Sequence, residues 1–275
     1  MPPMLYGTAW KKERTEALVA EAIRRGFRGI DTACQPKHYR EDLCGAGIAS
    51  LIEAGEIQRE DLFLQTKYTP VRGQDPKNIP FDATAPLGQQ VEESFRRSQQ
   101  NLRTTYVDSL VLHSPLPTLK ETMVAWRALE KIHTDGHAKC LGISNCYDTF
   151  FFKRLYGEAT VKPQVLQNRF YADSGHDAEL RHFCAEKGIA YQSFWTLTGN
   201  REALQSEKLR QIATAHGVSA ECVLYRALMQ RGITPLSGTC DPKHMDEDIA
   251  TMQGAFELSE SEVDAIFEVV LAGRR

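Results

Sequence analysis

The chain lacks the cysteine patterns that bind zinc or form a disulfide framework. Its seven cysteines are odd in number and scattered, and no two of them form a C-x-x-C pair. No apolar run approaches the roughly 20 residues of a transmembrane helix, and the Met-Pro-Pro start lacks the charged and apolar regions of a signal peptide. We therefore predict reduced thiols, no metal site, no membrane association and a cytoplasmic location.

An excess of one charge is also absent. The chain has 33 Lys and Arg residues against 36 Asp and Glu residues, a net charge of −3, and no long basic run. Such a surface provides no electrostatic basis for binding nucleic acid or an anionic membrane, so neither is an expected partner. Nothing in the sequence determines the oligomeric state.

No G-x-G-x-x-G turn follows any predicted strand, which disfavours a Rossmann fold. The sequence does contain eight apolar stretches that alternate with segments of helical periodicity. The predicted strands are residues 5–10, 27–33, 62–68, 109–114, 140–145, 165–170, 189–197 and 234–238. The predicted helices are residues 14–25, 40–54, 87–102, 119–134, 149–156, 178–187, 206–216, 219–231 and 260–271.

Strands that are apolar on both faces and alternate with helices indicate a parallel sheet covered by helices. Eight such units in about 250 residues fit a closed (β/α)8 barrel better than an open sheet. We predict one α/β barrel domain over residues 1–275. Residues 69–86, with four prolines and a glycine, predict a long irregular loop without a regular element.

The carboxyl ends of several predicted strands carry polar side chains, and in such a barrel these ends form the active face. Singly, each side chain could cap a turn, lie in solvent or pack in the core. Their occurrence on successive strands favours a shared site. The residues are Asp31, Lys67, His113, Ser144, Asn145, Gln167 and Asn168.

Tyr39 lies in the turn that follows Asp31. A buried lysine beside a tyrosine favours the phenolate and lowers the tyrosine pKa, so we expect Lys67 to make Tyr39 a proton donor near neutral pH. His113 would orient a substrate oxygen. The set lacks a nucleophile with an adjacent base and the spacing of a metal site. It suits proton donation to a carbonyl, paired with hydride transfer from a bound cofactor.

Ordered motifs along nearly the whole chain resemble those of the aldo-keto reductases. They are GIDTA at residues 29–33 with YRE at 39–41, LQTK at 64–67, LVLHSP at 110–115, LGISN at 141–145, QN at 167–168 and TPLSGT at 234–239. The resemblance implies a (β/α)8 barrel that reduces an aldehyde or ketone with a nicotinamide cofactor.

The resemblance also implies roles for individual residues. Tyr39 would be the general acid, Lys67 and Asp31 would tune it, and His113 would orient the carbonyl. The nicotinamide carboxamide would be held by Ser144, Asn145 and Gln167. An aromatic ring that stacks on the nicotinamide would come from Phe194, which could also simply pack in the core. The substrate pocket would be lined by Trp10 and Trp195, although tryptophans near a barrel mouth often serve only in packing.

Two departures from the family pattern stand out. Eight positions separate Asp31 from Tyr39, where the family commonly has five, and Gln35, Pro36 and Lys37 are the extra residues. This insertion would enlarge the turn or reshape the edge of the pocket.

The second departure concerns the 2′-phosphate of NADPH. Where many members have a lysine and an arginine, this chain has Leu236 and His244, although Ser237, Thr239 and Lys243 could still bind phosphate. We predict NADPH as cofactor, with a reduced preference over NADH.

Two other functions are compatible with the sequence. One is a nicotinamide-binding regulatory or redox-sensing protein with little turnover, and the more distant one is a non-redox barrel hydrolase or isomerase. The natural substrate is a small carbonyl compound that the sequence does not identify.

Overall fold

The computed structural model describes residues 1–273, and its strands form one closed parallel barrel in chain order. The strands are β1 (Leu5–Gly7), β2 (Gly29–Asp31), β3 (Phe63–Tyr68), β4 (Val107–Leu112), β5 (Ala138–Ser144), β6 (Val165–Arg169), β7 (Ala190–Phe194) and β8 (Ile233–Ser237). Pairing of β1 with β8, with Leu5 opposite Leu236, closes the barrel. The predicted (β/α)8 fold is confirmed.

Helices surround this barrel. They are α1 (Thr15–Arg25), α2 (Glu41–Glu53), α3 (Leu87–Leu102), α4 (Leu119–Thr134), α5 (Thr149–Glu158), α6 (Ala178–Lys187), α7 (Arg201–Gln205), α8 (Glu207–His216), α9 (Ala220–Gln230), α10 (Pro242–Met252) and α11 (Glu260–Ala272). Within residues 1–273, none is both long and apolar enough to cross a membrane.

Local sequence sets several helix ends. Helix α4 begins at a capping box, in which the Thr118 hydroxyl accepts from the Glu121 backbone N–H and the Glu121 carboxylate accepts from the Thr118 backbone N–H. Helix α1 ends at Gly26, whose φ of 119° lies outside the range that other residues adopt easily. These signals were available to the sequence prediction, which placed both ends well.

The predictions were less accurate at the carboxyl rim of the barrel. The strands predicted at 5–10 and 189–197 end earlier, at Gly7 and Phe194. Beyond them Trp10 and Trp195 have positive φ values of 64° and 60°, which ends an extended strand. Helix α10 was not predicted, although Asp241 as N-cap and Pro242 in the first turn mark its start.

The prediction of a loop at 69–86 was correct except that the loop is not wholly irregular. It contains a 3₁₀ turn, Val71–Gly73, and an isolated bridge between Asp75 and Asn78. The Gln74 side-chain amide fastens it to the β2–α2 turn by donating to the Cys34 carbonyl oxygen at 3.0 Å. The loop is therefore attached to the turn that carries the extra residues.

The apolar core lies between the barrel and its helices. Ile30 pairs with Leu64, and Leu110 pairs with Leu141, and all four side chains are buried. Since paired residues of parallel strands share a face and side chains alternate, the neighbours of these residues point into the barrel. Those neighbours include Asp31, and the barrel interior is consequently polar at its carboxyl end.

Gly45 provides a test of the close packing between α2 and α3. A Cβ atom at Gly45 would overlap the Asn101 carbonyl oxygen and lie 2.6 Å from the Leu102 Cα. Gly45→Ala should therefore lower the free energy of unfolding by about 1–3 kcal/mol, because backbone atoms cannot move aside as a flexible side chain can. Urea denaturation measures this change.

Gly157→Ala is the matched control, because no neighbouring atom lies within 4 Å of its added Cβ. Gly157 lies within α5, where alanine should be neutral or stabilise by up to about 1 kcal/mol. Equal stabilities of the two variants would contradict the packing argument.

Candidate active site

Asp31 and Lys67 form a buried ion pair at the carboxyl end of β2 and β3. The Lys67 ammonium donates to both Asp31 carboxylate oxygens at 2.7 Å and to the Thr32 carbonyl oxygen at 2.9 Å. Only 1% of Lys67 and 2% of Asp31 is exposed. The alternative that Lys67 lies in solvent beyond the end of its strand is therefore excluded.

Three glutamines complete the floor beneath the pair. Gln65 and Gln167 each donate a hydrogen bond to Asp31 Oδ1, at 2.7 and 3.0 Å, and both also donate to Gln192 Oε1 at 2.8 Å. Sequence reasoning missed Gln65 and Gln192. The spacing could have revealed Gln65, because it lies two residues before Lys67 and must share the same face of β3.

Tyr39 reaches the same place despite the extra residues. Its backbone N–H and that of His38 both donate to the Gln35 carbonyl oxygen at 3.0 Å, which forms a tight turn. The Tyr39 ring centroid lies 5.4 Å from the Lys67 ammonium and 6.0 Å from the centroid of the His113 ring. The inserted residues thus lie in the turn itself, and Tyr39 remains beside the ion pair.

The expected direction of the Tyr39 pKa shift is wrong for this structure. Burial, and then the Asp31 carboxylate, raise the pKa of Tyr39 above its ordinary value, while burial lowers the pKa of Lys67 against the opposing effect of Asp31. Because Lys67 is already paired with a carboxylate, it offers Tyr39 little net charge. Tyr39 is a neutral phenol at neutral pH and holds the proton that a general acid needs.

His113 directly follows β4, and its ring is neutral. Burial and the Lys67 charge hold the pKa of His113 well below its ordinary value. Its Nδ1 lies 2.6 Å from the Thr69 hydroxyl, and Asn145 Nδ2 donates to its carbonyl oxygen at 2.9 Å. Nε2 is the ring nitrogen left to meet a ligand. Thr69 is the first residue of the long loop, and sequence reasoning missed it as a partner of His113.

One cavity of about 820 Å³ brings the predicted residues together at the carboxyl end of the barrel. Trp10 and Trp195 line it as expected, whereas Lys67 does not and lies beneath Asp31. The other predicted site residues that line the cavity are Asp31, Tyr39, His113, Ser144, Asn145, Gln167, Phe194, Ser237, Thr239 and His244.

Two polar groups at the centre of the cavity fit a primary carboxamide. The Ser144 hydroxyl accepts from Asn145 Nδ2 at 3.2 Å but has no acceptor for its own proton within residues 1–273. Gln167 donates through Nε2 to Asp31 and Gln192, so its Oε1 is left as an acceptor. One free donor and one free acceptor match a carboxamide C=O and NH₂, and Phe194 lines the wall nearby.

The opposite end of the cavity, between β8 and α10, is acidic. Ser237 donates to Asp248 at 2.6 Å, and burial raises the pKa of Asp248 to about 6. Glu221 and Glu247 also line this end. His244 is exposed at the wall, so neither of the two positions noted in the sequence supplies a permanent positive charge.

Comparison with known proteins gives a consistent result. The model of the aldo/keto reductase family matches residues 4–270. The chain is 31% identical over 255 residues to glyoxal reductase of Bacillus subtilis, covering 92% of this chain and 82% of that protein. It is 28% identical over 303 residues to the NAD(P)H-dependent D-xylose reductase of Scheffersomyces stipitis, covering 95% and 88%.

Solved structures share the architecture. An aldo/keto reductase from Brucella melitensis is 27% identical with a TM-score of 0.79 and covers 98% of this chain and 95% of its own. An aldo-keto reductase from a Medee basin deep-sea metagenome is 23% identical with a TM-score of 0.83, covering 100% and 93%. At that identity, the second likeness concerns the fold alone.

The Asp31–Lys67 pair should respond differently to single and double substitution. Lys67→Met leaves the Asp31 carboxylate buried without its countercharge, which should lower the free energy of unfolding by about 3–5 kcal/mol. The Asp31→Asn/Lys67→Met double variant buries no net charge and should lose less. Chemical denaturation of the three proteins checks this, and a double variant less stable than Lys67→Met would contradict it.

Proposed function

The chain belongs to the aldo/keto reductase family, and on this premise we propose that it reduces an aldehyde or ketone to an alcohol with NAD(P)H. The observation that carries the proposal is the convergence of a neutral tyrosine, a neutral histidine and a buried Lys–Asp pair at one end of a cavity. The names of relatives, a glyoxal reductase and an NAD(P)H-dependent D-xylose reductase, support a small-molecule carbonyl as substrate.

Tyr39 is the proposed proton donor. Its neutral phenol gives its proton to the carbonyl oxygen. Asp31 holds Lys67 in place through both of its oxygens. With its Nδ1 engaged by Thr69, His113 uses Nε2–H to hydrogen-bond the carbonyl oxygen and align it.

We assign cofactor binding to the polar centre of the cavity and to its acidic end between β8 and α10. When bound, the nicotinamide supplies a hydride to the carbonyl carbon. Ser144 and Gln167 would hold its carboxamide through the free donor and acceptor described above, Asn145 would position the Ser144 hydroxyl that it contacts, and Phe194 would pack on the ring. Ser237 and Thr239, beside the start of α10, bind the phosphate end together with His244.

Tyr39→Phe tests the proton donor. Loss of the phenol should lower kcat for a reactive aldehyde by about 10²- to 10⁴-fold, the range for general acid catalysis, while cofactor affinity is retained. Turnover is followed by NADPH consumption and affinity by cofactor fluorescence. Tyr156→Phe, on α5 outside the cavity wall, is the matched control and should behave as wild type.

Near-normal turnover by Tyr39→Phe would remove Tyr39 from this role. Tight cofactor binding by the wild-type protein without turnover of any aldehyde or ketone would instead support the regulatory or redox-sensing alternative. Absence of nicotinamide binding would favour a non-redox barrel enzyme.

NADPH is the proposed cofactor, with a reduced preference over NADH. Leu236 carries no charge, His244 carries no permanent charge, and the carboxylates of Glu221 and Glu247 oppose a 2′-phosphate. The preference for NADPH then rests on Ser237, Thr239 and the start of α10, and wild-type kcat/KM should be higher with NADPH by only a modest factor. His244→Arg should raise the NADPH-to-NADH ratio about tenfold, since a hydrogen bond to a charged group contributes about 1.5 kcal/mol. Equal or better wild-type efficiency with NADH would refute the preference.

A further inference from the structure

Arg169 is the one lysine or arginine that lines the cavity, within the residues that the structure describes. It ends β6, two residues after Gln167. Side chains alternate along a strand, so Arg169 lies on the same face as Gln167 and about 7 Å nearer the cavity mouth. Sequence reasoning did not single it out.

The guanidinium has no hydrogen-bonding partner in the described part of the chain. Its Nε is buried without an acceptor, and Arg169 donates to the Tyr147 hydroxyl through its backbone N–H, not through its side chain. Buried or half-buried cations in proteins are normally paired. Its N–H groups form a planar fork that matches a carboxylate.

Aromatic rings hold this fork in position. The guanidinium carbon lies 4.2 Å from the ring centroid of Trp195, 5.3 Å from that of Tyr171 and 5.9 Å from that of Phe194. Contact with ring faces stabilises the positive charge without using the N–H groups. Those donors stay available for bonds in the guanidinium plane.

The carboxylates of the neighbourhood have other partners. Asp31 is paired with Lys67, and Asp177 accepts from Asn168 and Tyr191. The remaining carboxylates of the cavity wall belong to Glu221, Glu247 and Asp248, at the acidic end between β8 and α10. The Arg169 guanidinium is thus left for an anionic ligand in the cavity.

We propose that Arg169 binds a carboxylate of the substrate, so that the protein favours aldehydes or ketones that carry a carboxylate group. The inference rests on the proposed function, because it places the carbonyl at Tyr39 and His113. A diphosphate in the cofactor is the other possible anion. In the proposed function Gln167 holds the carboxamide, and a ribose separates that end of the cofactor from the diphosphate. We therefore assign Arg169, two residues beyond Gln167 on the same face of β6, to the substrate.

Two substrates that differ in charge test the proposal. These are 4-carboxybenzaldehyde and its methyl ester, which have similar size and the same reacting group. Wild-type protein should have the higher kcat/KM for the acid. Arg169→Gln should lower kcat/KM for the acid about tenfold, chiefly through KM, and change that for the ester less than twofold. Arg169→Lys keeps the positive charge but loses the planar set of N–H donors, so its kcat/KM for the acid should lie between those of wild type and Arg169→Gln.

Controls separate charge from general damage. Arg210→Gln alters an exposed arginine outside this cavity and should leave both substrates unaffected. Cofactor affinity, from fluorescence titration, should be the same in wild type and Arg169→Gln. Raising the ionic strength should reduce the preference for the acid, because salt screens the partly exposed charge.

Equal losses for acid and ester with weaker cofactor binding would overturn the proposal and assign Arg169 to the diphosphate. Turnover of both substrates without a preference for the acid would overturn it while leaving the proposed function intact. If wild type turned over neither substrate, calorimetric titration with benzoate would still decide the anion site. Tighter benzoate binding by wild type than by Arg169→Gln supports the site, and equal binding rejects it.

Discussion

The buried Asp31–Lys67 pair is the constraint on which the rest of the site depends. Removing two charges from water costs several kcal/mol for each ion, and this cost is offset only if every polar atom finds a partner. Lys67 therefore donates to both Asp31 oxygens and to the Thr32 carbonyl oxygen, while Gln65 and Gln167 donate to Asp31. These bonds connect β2, β3 and β6 across the barrel interior and make its carboxyl end rigid.

The side chains that face the cavity beside this ion pair are uncharged. Burial is the larger cause that keeps both Tyr39 and His113 neutral, and the ion pair adds to it, since Asp31 raises the pKa of Tyr39 and Lys67 lowers the pKa of His113. The charges on the cavity wall are less evenly distributed, with Arg169 at the end of β6 and the carboxylates of Glu221, Glu247 and Asp248 at the acidic end beside α10. This separation of charge gives a ligand a preferred orientation along the cavity.

The extra residues of the β2–α2 turn show how the fold accommodates an insertion without moving the site. Gln35 donates from its side chain to the Gly73 carbonyl oxygen at 2.6 Å, so the enlarged turn packs on the long loop. The backbone N–H groups of His38 and Tyr39 both donate to the Gln35 carbonyl oxygen. The His38 ring packs against Trp10, with ring centroids 4.0 Å apart. The insertion therefore shapes the mouth of the cavity, and the ion pair determines its floor.

The sequence by itself determined the barrel and the positions of Asp31, Lys67 and His113, because buried parallel strands are apolar runs and their carboxyl ends must meet at one edge. It did not determine the direction of the Tyr39 pKa shift, the amide network of Gln65 and Gln192, or the unpaired state of Arg169. Only the tertiary structure decided these, since each depends on burial and on distances between residues far apart in the chain. Those quantities exist only after the barrel has closed, when water is excluded and a carboxylate is either close to a charge or is not.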